Sequence, residues 1–345
     1  MLKRLELSYR TAYAQAKETA SAQPSAPVLT PGAVAVERRG GGEFAYRYRY
    51  DASGKRIAEY LGRAGGEVVA AAEAEIREAV LLSRASRDLR RVGFNGVDTA
   101  TAATVARLAN AGLFRGGAVL VGTRAFGACL NELGYSMTGE VLRTEDVDVA
   151  RPARIEVVAV PEGGMLALLR ETGLRFQEVP ELRPSAAATS WKVRGEHLKV
   201  DLLVPAKGAP YRSTAVPELR AYGTGLPFLD YLVEEPMPSV LLGRDRIVPI
   251  VVPAPSRFCV HKLAVYALRR PSESAKRAKD LHQAVLLAEA LVPESADELE
   301  RAIDAAPKAL RMKARAAARL AVDALERAPE AADLVERLAV SPRHR

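Results

Sequence analysis

The sequence predicts an α+β protein in three parts, on the strength of three patterns. Between Ala118 and Val252, short apolar strands alternate with helical stretches. From Pro253 onward, helical stretches follow one another without a strand. Ahead of both, a helix, a β-hairpin and another helix fill the first 95 residues. The expected division is an N-terminal region over 1–95, a core over 96–252 and a helical C-terminal domain over 253–345. A chain of 345 residues suits two or three domains, each typically roughly 100–200 residues long.

Taken in order, residues 2–22 read as an amphipathic helix, with Leu2, Leu5, Tyr9, Tyr13 and Ala16 at helical spacing. Gln23 to Pro27 and Pro31-Gly32 read as a linker. Phe44 to Tyr50, the turn Asp51 to Gly54 and Lys55 to Leu61 form a hairpin. Alternation groups Phe44, Tyr46, Tyr48 and Tyr50 on one face and Arg47 and Arg49 on the other. The aromatic face is expected to be the core face and the arginines solvated; an Arg-bearing strand that touches phosphate or RNA is the alternative. Helices follow over 66–91, ending in the basic turn Arg87 to Arg91, and over 98–113, with Asp98 or Thr99 as its cap. The core strands are Ala118 to Val121, Glu145 to Ala150, Trp191 to Arg194, His197 to Val204 and Ile247 to Val252. Helices are expected at Arg124 to Leu133 and near 162–172, and after the core at about 256–270, 275–292, 297–304, 307–327 and 330–339.

Composition narrows the function. A 48% hydrophobic and 27% charged chain is composed like a globular protein, and 50 Lys+Arg against 42 Asp+Glu give a net charge of +8. A basic balance suits polyanions: nucleotide, nucleic acid or an anionic membrane surface. No apolar run approaches the roughly 20 residues of a membrane span, and the N-terminus has no secretory pattern. Ser239 to Val252 comes closest and is broken by Arg244, Asp245 and Arg246. Two cysteines and four scattered histidines make no disulfide framework and no zinc spacing. A soluble cytoplasmic protein is expected.

The informative stretch is Thr144-Glu145-Asp146-Val147-Asp148-Val149. Strand periodicity places Asp146 and Asp148 on one face. Two neighbouring carboxylates repel unless a cation sits between them, and hard oxygen ligands suit Mg²⁺ or Mn²⁺. Upstream, a buried strand runs through Gly122-Thr123 into a helix. A glycine there lets phosphate approach the backbone, the Thr hydroxyl can donate, and the helix N-terminus favours negative charge. Downstream, His197, Lys199 and Asp201 share one face of a strand whose other face is Leu198, Val200, Leu202 and Val204.

Strand–Gly-Thr–helix, then D-x-D on a strand, then a third Asp on a later strand, resembles the nucleotidyltransferase superfamily related to DNA polymerase β. The resemblance is carried by Gly122 to Phe126, Glu145 to Val149 and Lys199 to Leu202. Further matches to a bacterial subgroup of that fold are Pro253 to Leu263, which includes His261-Lys262-Leu263, and Lys279-Asp280-Leu281. It spans residues 98–290, and weakly the hairpin. Many active members carry Gly-Ser where this chain has Gly122-Thr123; Thr keeps the hydroxyl and adds a methyl group.

The resemblance implies a polymerase β-like mixed-sheet core and a Mg²⁺-dependent transfer of NMP from an NTP to a hydroxyl of RNA such as tRNA, a protein or a small molecule, with release of pyrophosphate. Asp146, Asp148 and Asp201 would be the metal ligands and catalytic carboxylates, with Asp201 helping to take the acceptor proton. Gly122 and Thr123 would cradle phosphate. Arg124 either neutralises phosphate or faces solvent. Lys262 either contacts the triphosphate or is a solvated helix lysine. Asp280 is expected to pair with Lys276, His261 and His282 to pack or cap, and Trp191 to lie in the core. Some relatives act as toxins, so a toxin or defence component is one expectation. The rival is a non-catalytic module of the same fold that binds nucleic acid, through the Arg47 and Arg49 hairpin and the basic helix ends, or a protein partner.

Overall fold

A computed structural model describes residues 2–137, 146–152, 155, 159–181 and 187–339. The chain opens with β1 (Leu2–Arg4) and α1 (Leu7–Ala22), so the helix starts later than its periodicity suggests. Residues 2–4 pair instead with a strand more than a hundred residues away, Leu2 opposite Met137. Tyr13, Ala16 and Ala20 of α1 are buried in a small core with Leu82, Leu89 and Phe94, where the Tyr13 and Phe94 rings stack 4.9 Å apart.

Three strands follow, β2 (Ala33–Arg39), β3 (Gly42–Tyr50) and β4 (Arg56–Arg63), as an antiparallel sheet in that order, and then α2 (Glu67–Arg91). The hairpin exists, but its faces are inverted. Ala45 and Leu61 pack against Val69 and Ala72 of α2, which makes the arginine side of β3 the covered side. Arg47 is buried, donating to the Pro31 carbonyl at 3.2 Å and to Glu75 at 2.8 Å. Arg49 pairs with Glu59 at 2.6 Å. On the outer face Phe44, Tyr46 and Tyr48 are half-buried while Tyr50 and Tyr60 are exposed. There the Tyr46 and Tyr60 rings lie 5.3 Å apart, and the Arg56 guanidinium sits 3.9 Å from the Tyr48 centroid. A buried guanidinium is tolerated because both its charge and its donors are met, whereas tyrosines satisfy one another at a wet surface. Arg47 is thus committed within the N-terminal region, and Arg49 pairs there with Glu59.

The core begins at α3 (Thr99–Asn110), capped by Asp98, whose carboxylate accepts from the Thr101 amide at 2.8 Å. Next come β5 (Val119–Val121), α4 (Gly122–Glu132), β6 (Tyr135–Met137), β7 (Asp146–Ala150), α5 (Gly164–Arg170), β8 (Phe176–Glu178), β9 (Ser190–Val193) and β10 (Lys199–Pro205). Then follow β11 (Ser213–Val216), β12 (Ala221–Leu226), α6 (Leu229–Val233), β13 (Pro236–Leu242) and β14 (Ile247–Pro253). Thr144 and Glu145 of the sequence motif lie outside the described residues.

A seven-stranded mixed sheet runs β11-β12-β10-β7-β5, with β9 pairing both β10 and β8. Strand β10 is parallel to β7 and β12, and β5 is antiparallel to β7. Val119, Leu120, Val147, Val149, Val200 and Leu202 are fully buried on this sheet, and Trp191 of β9 is in the same core. Burial of the valines and Leu202 of β7 and β10 leaves Asp146, Asp148, Lys199 and Asp201 half-buried on the other face. Strands β13 and β14 form a separate hairpin whose turn holds Arg244 to Arg246, the charges that interrupt the apolar run.

The helices α7 (Pro255–Leu268), α8 (Ser274–Ala305), α9 (Lys308–Ala324) and α10 (Pro329–Ala339) pack on one another beyond the sheet. Two expected helices are merged in α8, which breaks at Ser295 (φ −153°, ψ 57°), two residues after Pro293. Proline removes an amide donor and crowds the preceding turn, so the break belongs there.

Candidate functional site

The site is built by register. In the parallel β7–β10 pair, Asp201 lies opposite Asp148 and Lys199 opposite Asp146. On the other side of β7, Asp148 lies opposite Val121, the last residue of β5. The chain then turns at Gly122, with φ +69°, directly into α4. An added Cβ at Gly122 would overlap the Asp148 carboxylate. Glycine is required here twice, for its left-handed backbone and because Asp148 occupies the space a side chain would take. Asp146, Asp148, Asp201, Gly122 and Thr123 are therefore brought together.

Their electrostatics follow from crowding. Burial, then the charges of Asp201 and Asp146, push the Asp148 carboxyl up to about 7, while Lys262 and Lys199 pull it down. Asp201 accepts from Lys199 Nζ, 2.7 Å from Oδ1 and 3.0 Å from Oδ2, and from the Ser190 hydroxyl across the β9–β10 pair. Burial disfavours the charged Lys199, but Asp201, Asp146 and Asp148 outweigh it and raise its pKa. Among the described residues, no group of three or more acidic, histidine or cysteine side chains is placed to hold a metal ion. The carboxylates are aligned along the strands, with Lys199 as the cation on Asp201.

Thr123 is the second residue of α4, and its hydroxyl accepts from Gln283 Nε2 of α8 at 3.5 Å. Arg124 reaches the start of α3, 3.5 Å from Asp98 Oδ2 and 3.4 Å from the Thr101 hydroxyl. Solvent is therefore not its main surrounding. Lys262 of α7 is buried and donates to Asp280 Oδ1 at 2.7 Å, and Arg269 shares the same carboxylate. It is not a solvated helix lysine, and its ammonium is committed to Asp280 while its charge still acts on Asp148. Burial works against an ionised Asp280, but Lys262 and Arg269 hold its carboxyl below the usual value. Helical spacing suggested Lys276 as the partner of Asp280. Lys276 instead pairs with Glu273 at 3.9 Å, because α7 packs against α8 and delivers Lys262 at closer range. His261 is buried, and burial and then Lys262 push it down to about 4, so it is a neutral packing residue.

Three polar residues enter this neighbourhood without having been singled out. Ser190 is visible only through the β9–β10 register, and Gln283 only through the packing of α8 on α4. Lys279 is half-buried and acts electrostatically on Asp146 and Arg124; it had stood out only as part of Lys279-Asp280-Leu281.

Among the described residues, no helix is long and apolar enough to cross a membrane. No curated protein and no solved structure matches the chain. A nucleotidyltransferase family model matches residues 99–307, from the first residue of α3 to just past the end of α8, and so contains every residue of the carboxylate site. With more than half its length inside that match, the chain belongs to the nucleotidyltransferase family and is a transferase.

Proposed function

We propose that the protein transfers NMP from an NTP to a hydroxyl acceptor and releases pyrophosphate, on a core of the polymerase β type. One observation carries this reading. Asp201 stands in register beside Asp148, and Asp148 rests against the glycine that starts α4. That places an acidic cluster beside a helix N-terminus, which is the pairing that a metal-bound polyphosphate requires.

The donor set fits Mg²⁺ or Mn²⁺: hard carboxylate oxygens on adjacent strands, one of them pushed up to about 7 by burial and then by its acidic neighbours. Asp146 and Asp148 would hold the ion, with Asp201 completing the set once Lys199 yields. Bound there, the metal would supply charge neutralisation of the triphosphate and a lowered pKa of the acceptor hydroxyl. The Gly122 and Thr123 amides and the Thr123 hydroxyl would hold the β- and γ-phosphates, with Gln283 orienting that hydroxyl. Lys279 and Arg124 would add positive charge at the same end, and Lys262 would act from behind, fixed by Asp280. The acceptor oxygen bonds to the α-phosphorus, the bond from that phosphorus to the α–β bridging oxygen breaks, and pyrophosphate leaves with the electron pair. Asp201 receives the hydroxyl proton.

The test is label transfer from an α-labelled NTP with Mg²⁺ to RNA, protein or a small hydroxyl compound. Transfer by the wild type that Asp146→Ala and Asp148→Ala both abolish supports the reading. A wild type that transfers nothing and binds no NTP with Mg²⁺ would sink it and favour a non-catalytic module.

A further inference from the structure

A second anionic ligand has a place in this protein. Beside the start of α4 opens a groove of about 500 Å³, within the usual range of small-molecule sites, roughly 300–1,000 Å³. One face of α4 forms its floor, from Thr123 and Arg124 through Gly127 and Ala128 to Asn131. The last turns of α2 form its wall with Arg87, Arg90 and Arg91. Four arginines line it and, among the described residues, no carboxylate does.

Nearby acids are already engaged. Asp98 caps α3 and faces Arg124. Asp88 faces Arg91 at 3.4 Å, and Asp245 faces Arg246 at 2.8 Å. Arg87 donates to the Ser83 carbonyl at 3.3 Å, and neither Arg87 nor Arg90 makes an ion pair among the described residues. Burial, then the charge of Arg244, hold the Arg90 guanidinium below its usual pKa, although Asp98 and Asp245 oppose this. Arg87 and Arg90 therefore bring guanidinium groups to the groove outside any ion pair among the described residues, and a planar fork of donors matches phosphate. The apolar side chains of Val97 and Leu241 give the groove a surface on which a ribose or base can lie.

We propose that this groove is a phosphate-ester site that includes none of the three aspartates and adjoins the proposed triphosphate position at Thr123 and Arg124. Its ligand is a nucleotide anion, presented either as the backbone of a single-stranded nucleic acid or as a free nucleotide. Binding here goes beyond nucleotidyl transfer and does not require turnover.

The test uses the full chain in EDTA, so that no metal-dependent transfer runs. A short fluorescein-labelled single-stranded RNA is titrated by anisotropy, and AMP by calorimetry. Arg87→Ser/Arg90→Ser is expected to weaken binding about tenfold or more. For the RNA arm it should also flatten the dependence of log affinity on log salt by about 1.4, from two lost phosphate contacts at about 0.7 each. Arg87→Lys/Arg90→Lys keeps the charge and should retain most of the RNA affinity. Loss in the RNA arm identifies a strand as the source, and loss in the AMP arm alone identifies the free nucleotide. Arg90 packs on Gly96, so the exposed pair Arg87→Ser/Arg91→Ser serves if the first variant melts early, with the same expectation. Asp146→Ala/Asp148→Ala should bind as the wild type does, which separates this site from the transfer reaction. A wild type that binds neither ligand, or arginine variants that bind both with unchanged affinity and salt slope, would overturn the proposal.

Discussion

Strands β3 and β10 have the same alternating pattern and bury opposite kinds of residue. On β10, Val200, Leu202 and Val204 go into the core and Lys199 and Asp201 line the site. On β3, Ala45 and Arg47 are buried and the tyrosines face outward. Period two decides which residues share a face, not which face is covered. Valine and leucine against aspartate leave one solution. Tyrosine against arginine leaves two, because both side chains combine an apolar body with a polar tip. On β3 the neighbours decide: α2 lies over the alanine side, and Glu75 with the Pro31 carbonyl satisfies the one cation trapped beneath it.

The contrast is sharpest where the polar face is the functional one. Asp148→Ala should reduce nucleotidyl transfer by about a thousandfold or more, since it removes a charge that acts on the transition state; steady-state label transfer reads this. Gly122→Ala should cost about 3 kcal/mol of stability or more, from a left-handed alanine and from overlap with Asp148. Urea unfolding measures it, and Gly122→Ala/Asp148→Ala should recover part of the loss if the overlap is the cause. A simple sum of the two single effects would mean that Asp148 does not occupy the space beside Gly122.

His261 shows what burial does to a group with no opposite charge in contact. Its folded pKa, about 4, lies below the usual value of about 6.5. The unfolded chain therefore takes up the proton first, and stability falls as pH drops from about 6.5 to 4. His261→Gln should remove about 3 kcal/mol of that fall, seen by comparing urea midpoints at neutral and acid pH; parallel curves would mean that His261 titrates normally. On β3, Arg47→Ala should cost about 2 kcal/mol by leaving the Pro31 carbonyl and the packing unmet, whereas Tyr60→Ser on the open face should cost about 0.5 kcal/mol. The reverse order would restore the aromatic face as the core face.

These cases mark what could be read in the sequence. Strands β7 and β10, the Gly122-Thr123 turn and the long helices carry strong local signals, and the register of the paired strands sets Asp201 opposite Asp148. The strands β6, β8, β11 and β12 are short, and β6 depends on β1 more than a hundred residues away, so local patterns mark them weakly. The Lys262–Asp280 pair is illegible for the same reason, since packing of α7 on α8 outcompetes the helical neighbour Lys276. The arginines at the end of α2 looked like dipole compensation. Only folding shows that they wall a groove on α4.

Asp148 and Asp201 are neighbours to which the proposed function gives different tasks, one holding the metal-bound nucleotide and the other taking the acceptor proton. The most direct measurement pairs NTP affinity in Mg²⁺ with single-turnover label transfer for Asp148→Asn and Asp201→Asn. Asp148→Asn should lose both affinity and transfer, while Asp201→Asn should keep the affinity and lose transfer. Unchanged transfer in Asp201→Asn, or full NTP affinity in Asp148→Asn, would contradict that division of roles.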